Sequence, residues 1–367
     1  MFYHLLFPLA QYEYLSVFNV FRYISFRSVA AFITALLFSF FIGPKLINLL
    51  KNRKAVEMIN EHVPEHNVKQ GTPTMGGLIM ISSILLSTLL WNNLLNSSIF
   101  LLLVTMIWLG AIGFLDDFLK NFMKKKSGLV AKYKLYGQTL LALAIACFIY
   151  FSPSSHDLTV IHMVFLKDTA IQLSWFFIPF VVFMIVGTSN AVNLTDGLDG
   201  VSGGIIAFST FGLGVMAYLK GHFHMAQYLN LNFIADAGEI TIFTASMIGT
   251  IIGFLWYNTK PAQIFMGDTG SLPMGGLLAV ISIILQEQIF FAIIGGIFVI
   301  EAMSSIIQRY YFKYTRKRYG TGKRFFLRAP LHHHFELKGI SEEKIVIRFW
   351  IIAMLFLAIG FATLKLR

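Results

Sequence analysis

The chain has 367 residues, 56% of them apolar and 13% charged, with a mean hydropathy of +0.70. A globular protein carries about 25% charged residues, so this composition cannot clothe a water-facing surface, and it excludes soluble, disordered and fibrous classes. A single cysteine, Cys147, excludes an internal disulfide and a thiolate metal site, and the net charge of +11 reads as a topology signal before it reads as nucleic-acid binding.

The first 24 residues are rich in aromatics (Phe2, Tyr3, Tyr12, Tyr14, Phe18, Phe21, Tyr23) and have no basic residue before Arg22. That pattern predicts an interfacial segment and lacks the charged start of a signal peptide. A membrane crossing takes about 20 mostly apolar residues. Ten stretches approach that length: 26–50, 76–93, 98–118, 135–152, 173–190, 200–219, 240–257, 274–286, 289–309 and 345–364. The eighth is the shortest and contains Gly275 and Gly276. The fold expected is an all-α polytopic membrane protein, one domain over 1–367 with ten transmembrane helices and a large basic loop at 309–344.

Most of the 29 basic residues fall in loops that follow odd-numbered spans, among them Lys51, Arg53, Lys120, Lys124, Lys125, Lys126, Arg316, Lys317 and Arg318. The other face carries Arg22, Arg27, Lys167, Lys220, Lys365 and Arg367. The positive-inside rule then puts the odd loops in the cytoplasm and both termini outside.

Once sidedness is set, the acids sort with it. Asp116 and Asp117 (GFLDDFLK) close the third span, Asp196 and Asp199 lie in NAVNLTDGLDG, and Asp268 lies in FMGDTGS. The triple histidine of APLHHHFELKG and the glycine-flanked KQGTPTMGG share their face, which predicts one site at the inner membrane surface. An adjacent Asp pair is also a common solvated helix end, but neighbouring carboxylates suit magnesium, which keeps waters and completes its shell with phosphate oxygens. Asn193, Asp196 and Asp199, spaced by three, would share a helical face, but Gly197, Gly200, Gly203 and Gly204 break that regularity and open the backbone. Three consecutive histidines cannot point the same way on a regular element. Glu301, inside the ninth span, reads as a structural ion pair with Arg348 or Lys45. DTGS matches the aspartic-protease motif, but the protease needs two such turns on a β-sheet. No Walker or kinase glycine-rich signature occurs. From the residues alone, the chemistry expected is magnesium-assisted phosphoryl transfer at the inner face.

KQGTPTMGG, GFLDDFLK, NAVNLTDGLDG, PAQIFMGDTGSL and APLHHHFELKG together resemble the phospho-N-acetylmuramoyl-pentapeptide-transferase family, within the polyprenyl-phosphate N-acetylhexosamine-1-phosphate transferases. The resemblance covers essentially the whole chain. It implies transfer of phospho-MurNAc-pentapeptide from UDP-MurNAc-pentapeptide to undecaprenyl phosphate in peptidoglycan synthesis, giving lipid I and UMP. It also implies a Mg2+ cofactor, a bacterial inner-membrane location and a possible homodimer. Carried over, Asp116, Asp117 and Asp268 are the catalytic acids and the metal ligands, with Asp268 the most direct. Lys69, Gly197, Leu198, Asp199 and Phe265 match a uridine pocket, and Thr74, Lys134, Asn193, Asp196, Asn258, Gln308, His332, His333 and His334 match other substrate-proximal positions. Residues Tyr310–Tyr319 look a few residues longer than the family pattern.

Two other functions compete. A related enzyme would take UDP-GlcNAc as donor, which the HHHFELKG stretch disfavours. A secondary transporter would place its acids near the midplane, often within inverted repeats, whereas here the acids gather at one surface.

Overall fold

The computed structural model describes residues 2–53, 71–125, 128–152, 159–163 and 170–365, without the side chains of residues 3, 4, 11 and 13. After short helical turns over 2–22, the helices are α1 (Ile24–Asn52), α2 (Gly77–Trp91), α3 (Ser97–Asn121) and α4 (Ala131–Tyr150). A two-stranded antiparallel hairpin, β1 (Val160–His162) and β2 (Ala170–Gln172), interrupts the all-α expectation between α4 and α5 (Phe177–Thr195). There follow α6 (Val201–Lys220), α7 (Phe223–Tyr228), α8 (Ala237–Asn258), α9 (Asp268–Ile284), α10 (Gln288–Ile294), α11 (Gly296–Tyr319), α12 (Leu331–Glu336) and α13 (Glu342–Ala362).

Among the described residues, seven helices are long and apolar enough to cross a membrane, and the α10–α11 pair would make an eighth. Two shorter apolar helices, α2 and α9, occupy the second and eighth expected spans. The chain is therefore a polytopic helical membrane protein.

The short helix α9 is the hub, since all 17 of its residues are buried. It packs against α2, α3, α5 and α6. Small residues let backbones close on it. A Cβ added at Gly113 of α3 would run into the carbonyl oxygen of Asp268, and one added at Gly77 of α2 into the backbone nitrogen of Gly270. The apolar surround, including Ile79, Met106, Leu109, Leu272 and Ile281, is wholly buried.

Several boundaries differ from the expectation. The ninth span, read as one helix over 289–309, is broken at Gly295 and bends by 76° between α10 and α11. α11 then runs on to Tyr319, so the first third of the expected basic loop, including the segment longer than the family pattern, is helix. Its tyrosines and cationic side chains are exposed, while Thr315 is buried and Tyr311 meets the Phe325 ring at 5.6 Å. DTGS is the first turn of α9, which leaves nothing of the protease-like turn.

The two ends of the bundle separate cleanly. At one end α3 starts, and there Asn96 donates to the Asp236 carbonyl (3.3 Å) while Arg27 pairs with Glu239 (2.7 Å). The aromatic N-terminal segment sits at that same end, with the Phe21 ring stacked on Trp91 at 5.9 Å. The C-terminal segment joins it, since Lys365 donates to the Tyr228 carbonyl (3.1 Å). Both chain ends thus lie opposite the end where α3 finishes at Asp116 and Asp117. Among the described residues, two acids of the far end are ion-paired within the protein: besides Glu239, Glu287 holds Lys220 at 2.8 Å with both side chains buried.

Candidate active site

The last turn of α3 meets the first turn of α9. One carboxylate oxygen from each of Asp116, Asp117 and Asp268 lies within 4.8 Å of the others, and all three residues are buried. Asp117 caps α9 from across the interface. Its Oδ1 accepts from the Asp268 backbone N–H (3.2 Å), and its Oδ2 accepts from the Thr269 N–H (2.9 Å) and hydroxyl (2.6 Å). A carboxylate at a helix N-terminus satisfies orphan donors and complements the helix dipole. Gly267, at φ +70°, makes the turn into α9, and a Cβ there would strike Asp117 and Thr74.

Cationic and amide groups surround Asp268. Its Oδ2 is 2.5 Å from Lys134 Nζ and 3.6 Å from Lys120 Nζ, and its Oδ1 accepts from Asn193 Nδ2 at 2.6 Å. Asn193 donates also to Ser271 Oγ (2.8 Å). Asp116 Oδ2 pairs with Lys120 at 2.5 Å, while its Oδ1 accepts from the Leu129 N–H at 2.7 Å. The Asp268 side chain is 12% exposed against 3% for Asp116, so a ligand arriving from water meets Asp268 first. Three carboxylates face two ammonium groups, which leaves a formal negative charge for a cation to compensate. Oxygen donors at this spacing fit a hard divalent ion. All three carboxylates have partners on both oxygens, but those of Asp117 serve the backbone and a hydroxyl of α9, whereas Asp268 Oδ2 and Asp116 Oδ2 face lysine ammonium groups, which a divalent ion could replace.

As the intervening glycines imply, Asn193, Asp196 and Asp199 do not share one helical face. α5 ends at Thr195, and a turn with Gly200 at φ +80° leads into α6. Asn193 therefore faces Asp268, whereas Asp196 accepts from Ser202 (2.5 Å) and Asp199 from the Ala262 N–H (3.2 Å). Asn258 joins the two loops around this turn: Oδ1 accepts from the Gly200 N–H (3.0 Å) and Nδ2 donates to the Ile264 carbonyl (2.9 Å). Phe265 is pinned by its backbone, donating to Pro73 O (2.9 Å) and accepting from Gly76 N–H (2.8 Å), which sets Thr74 beside the entrance to α9. Lys69 lies outside the described residues. Lys260, between α8 and α9, is held above its ordinary pKa by its hydrogen bond to Glu343 and by the charge of Glu342.

The three histidines diverge. His332 is buried, its Nδ1 3.2 Å from Glu301 Oε2, with its ring against Gly197. His333 Nδ1 lies 2.9 Å from Glu336, and burial lowers the pKa of this imidazole. His334 accepts from the Leu327 N–H (3.1 Å). Glu301 pairs neither with Arg348 nor with Lys45. It accepts from the Leu331 and His332 N–H groups (2.8 and 3.2 Å) and so caps α12, a partner set that sequence separation hid. Gln308 holds the preceding loop, accepting from the Phe325 and Phe326 N–H groups and donating to Phe326 O.

Sequence reading missed Lys120, Thr269 and Ser271. Lys120 had a signal, being four residues beyond Asp116 on one helical face, but it was counted only toward topology. The other two gave none, because their partners lie on α3 and α5.

The family model for glycosyl transferase family 4 matches residues 99–286, the stretch from α3 through α9. The chain is 47% identical over 350 residues, 95% of each chain, to the phospho-N-acetylmuramoyl-pentapeptide-transferase of Pelodictyon phaeoclathratiforme. It is 44% identical over 368 residues, 100% of each chain, to that of Thermodesulfovibrio yellowstonii, and 48% identical over 352 residues, 95% of each, to that of Chlorobium chlorochromatii. With identity at this level from end to end and the acidic trio inside the matched region, the chain belongs to the phospho-N-acetylmuramoyl-pentapeptide-transferase family.

Proposed function

We propose that the chain moves phospho-MurNAc-pentapeptide from UDP-MurNAc-pentapeptide to undecaprenyl phosphate at the inner face of a bacterial cytoplasmic membrane, leaving lipid I and UMP. The supporting observation is the buried Asp116–Asp117–Asp268 trio flanked by Lys120 and Lys134, within a chain of this family. An oxygen of the lipid phosphate attacks the sugar-linked phosphorus of the donor. The bond from that phosphorus to the bridging oxygen breaks, and UMP leaves with the bridging oxygen. A phosphate monoester with a second pKa of about 6 is mostly dianionic at neutral pH, so the attack requires no protein base.

The protein's work is then positioning and charge neutralisation. Lys134 and Lys120 lie where the phosphoryl oxygens meet Asp268. Asp268 and Asp116 are the residues that would hold magnesium, which when bound supplies Lewis-acid neutralisation of the diphosphate. Asp117 keeps the start of α9, and with it Asp268, in place. Phe265 offers a ring face to uracil, in a pocket shared with Gly197, Leu198 and Asp199, to which the family resemblance adds Lys69. Thr74, Asn193, Asp196, His333 and His334 line the approach of the sugar-peptide, with the buried His332 supporting them from behind. Asn258 and Gln308, whose side chains already serve backbone groups, shape that pocket. Ten crossings, counting α2, α9 and the bent α10–α11 pair, complete the topology, with both termini periplasmic. A homodimer through lipid-facing helices belongs to the same reading.

The test is UMP release on mixing donor, undecaprenyl phosphate and magnesium, with and without chelator. Asp268→Asn protein should keep its detergent melting curve and lose about 10²–10³-fold in turnover. Near-normal turnover in that variant, or release indifferent to chelator, refutes the reading.

A further inference from the structure

Directly beneath the Asp268 layer lies a second polar layer, buried among apolar side chains. Gln138 Oε1 accepts from Asn190 Nδ2 at 2.8 Å, Gln138 Nε2 donates to Ser189 Oγ at 3.3 Å, and Ser189 Oγ donates to the Leu272 carbonyl at 3.0 Å. Gln138 and Ser189 are fully buried. The register of this layer is informative. Gln138 lies four residues after Lys134 on α4, Ser189 and Asn190 lie four and three before Asn193 on α5, and Leu272 lies four after Asp268 on α9. Each member therefore sits about one helical turn, some 5.4 Å, deeper than a residue that touches or carries the Asp268 carboxylate.

The same three helices thus meet twice, once around the carboxylate and once below it. The upper contacts are long side chains reaching inward. Lys134 has four rotatable bonds, and nothing in its own helix fixes where its ammonium ends. The lower contacts are short amide and hydroxyl groups with defined donor and acceptor directions. A glutamine carries both a donor and an acceptor at its tip, so Gln138 grips α5 through two residues at once, and Ser189 passes that grip to α9. A slip or rotation of α4 would leave these buried groups unsatisfied, which is costly where water cannot replace them. Trp108 adds a tie from α3 by donating to the Gly137 carbonyl at 3.0 Å.

We propose that Gln138 is a positioning residue for the transfer reaction. It locks the register of α4 against α5 and α9 so that Lys134 Nζ and Asn193 Nδ2 converge on Asp268. The proposal rests on the transferase reading, and wild-type UMP release under the same conditions tests that reading separately.

The experiment compares Gln138→Met in two backgrounds, wild type and Lys134→Met, by steady-state UMP release. In the wild-type background kcat should fall about tenfold, with KM for the UDP-linked donor within about twofold, as expected for misplacement of a reacting-site group. In the Lys134→Met background the same change should cost less than about threefold, because the ammonium on its own helix, one of the two groups it positions, is already gone. An equal loss in both backgrounds, or kcat within twofold of wild type, overturns the proposal. If Gln138→Met does not yield monodisperse protein, Ser189→Ala carries the same cycle, with a smaller loss expected in wild type and again little in Lys134→Met. If wild-type protein itself releases no UMP, the transferase reading fails.

Discussion

Two neighbouring aspartates end α3, and the geometry separates what they do. Asp117 gives both oxygens to the backbone and hydroxyl groups that open α9, whereas Asp116 holds Lys120 and a single loop N–H. Asp117→Asn keeps one acceptor and turns the other into a donor that faces N–H groups. It should lower the melting temperature in detergent, by the about 0.5–2 kcal/mol that a lost cap costs, along with turnover. Asp116→Asn should lower turnover while melting stays near wild type. Parallel thermal unfolding and UMP-release measurements on the two variants decide this, and equal melting losses would count against the division of roles. The sequence shows that both acids matter, because adjacent carboxylates at a span end are visible in GFLDDFLK. It does not show which one is a cap, since the capped helix begins 151 residues later.

Elements behave the same way: their existence is readable and their junctions are not. Apolar run length locates the membrane-crossing helices well, because lipid leaves a backbone little choice but to satisfy itself within a helix. The apolar run shows the eighth span only over 274–286, since the DTGS before it is polar. In the fold that turn is buried under Asp117, so α9 starts six residues earlier, at Asp268. The bend at Gly295 was illegible, because the apolar pattern runs through it without a break. Close helix approach at α9 gives a prediction of its own. Gly113→Ala puts a methyl group against the Asp268 carbonyl, a backbone atom that cannot move aside. The variant should lose about 1–3 kcal/mol from overpacking and should lose turnover with it. Melting in detergent and UMP release check both, and an unchanged melting curve would mean that α3 and α9 have slack the structure does not show.

For the whole molecule, charge sorting anticipated the convergence of distant loops. Residues from α3, α4, α5 and α9 meet at one end of the bundle, and the two chain termini lie at the other. The sorting is readable because basic residues resist translocation, a constraint that acts along the entire chain. Its blind spot was the opposite end, where Glu239 and Glu287 are buried in ion pairs that no count of lysine and arginine reveals. Sidedness can be tested directly in a Cys147→Ser background with single cysteines at His224 and Arg318, both exposed. An impermeant maleimide added to intact spheroplasts should label His224→Cys, and should reach Arg318→Cys only after lysis. The reverse pattern would invert the molecule and strand the site on the wrong side of its nucleotide donor.

The brevity of α9 bears on how the two substrates come together. Its 17 residues rise about 25 Å, whereas the 29 residues of α1 rise about 43 Å. A rod this short falls below some 30 Å of hydrocarbon, and the buried turn Leu285–Glu287 extends its far end. The tip that carries the carboxylate is the one open to water, with Asp268 12% exposed beside the 41% exposed Lys120. A carrier lipid could then keep its phosphate near headgroup depth while a bulky sugar-peptide nucleotide presents its diphosphate from the water.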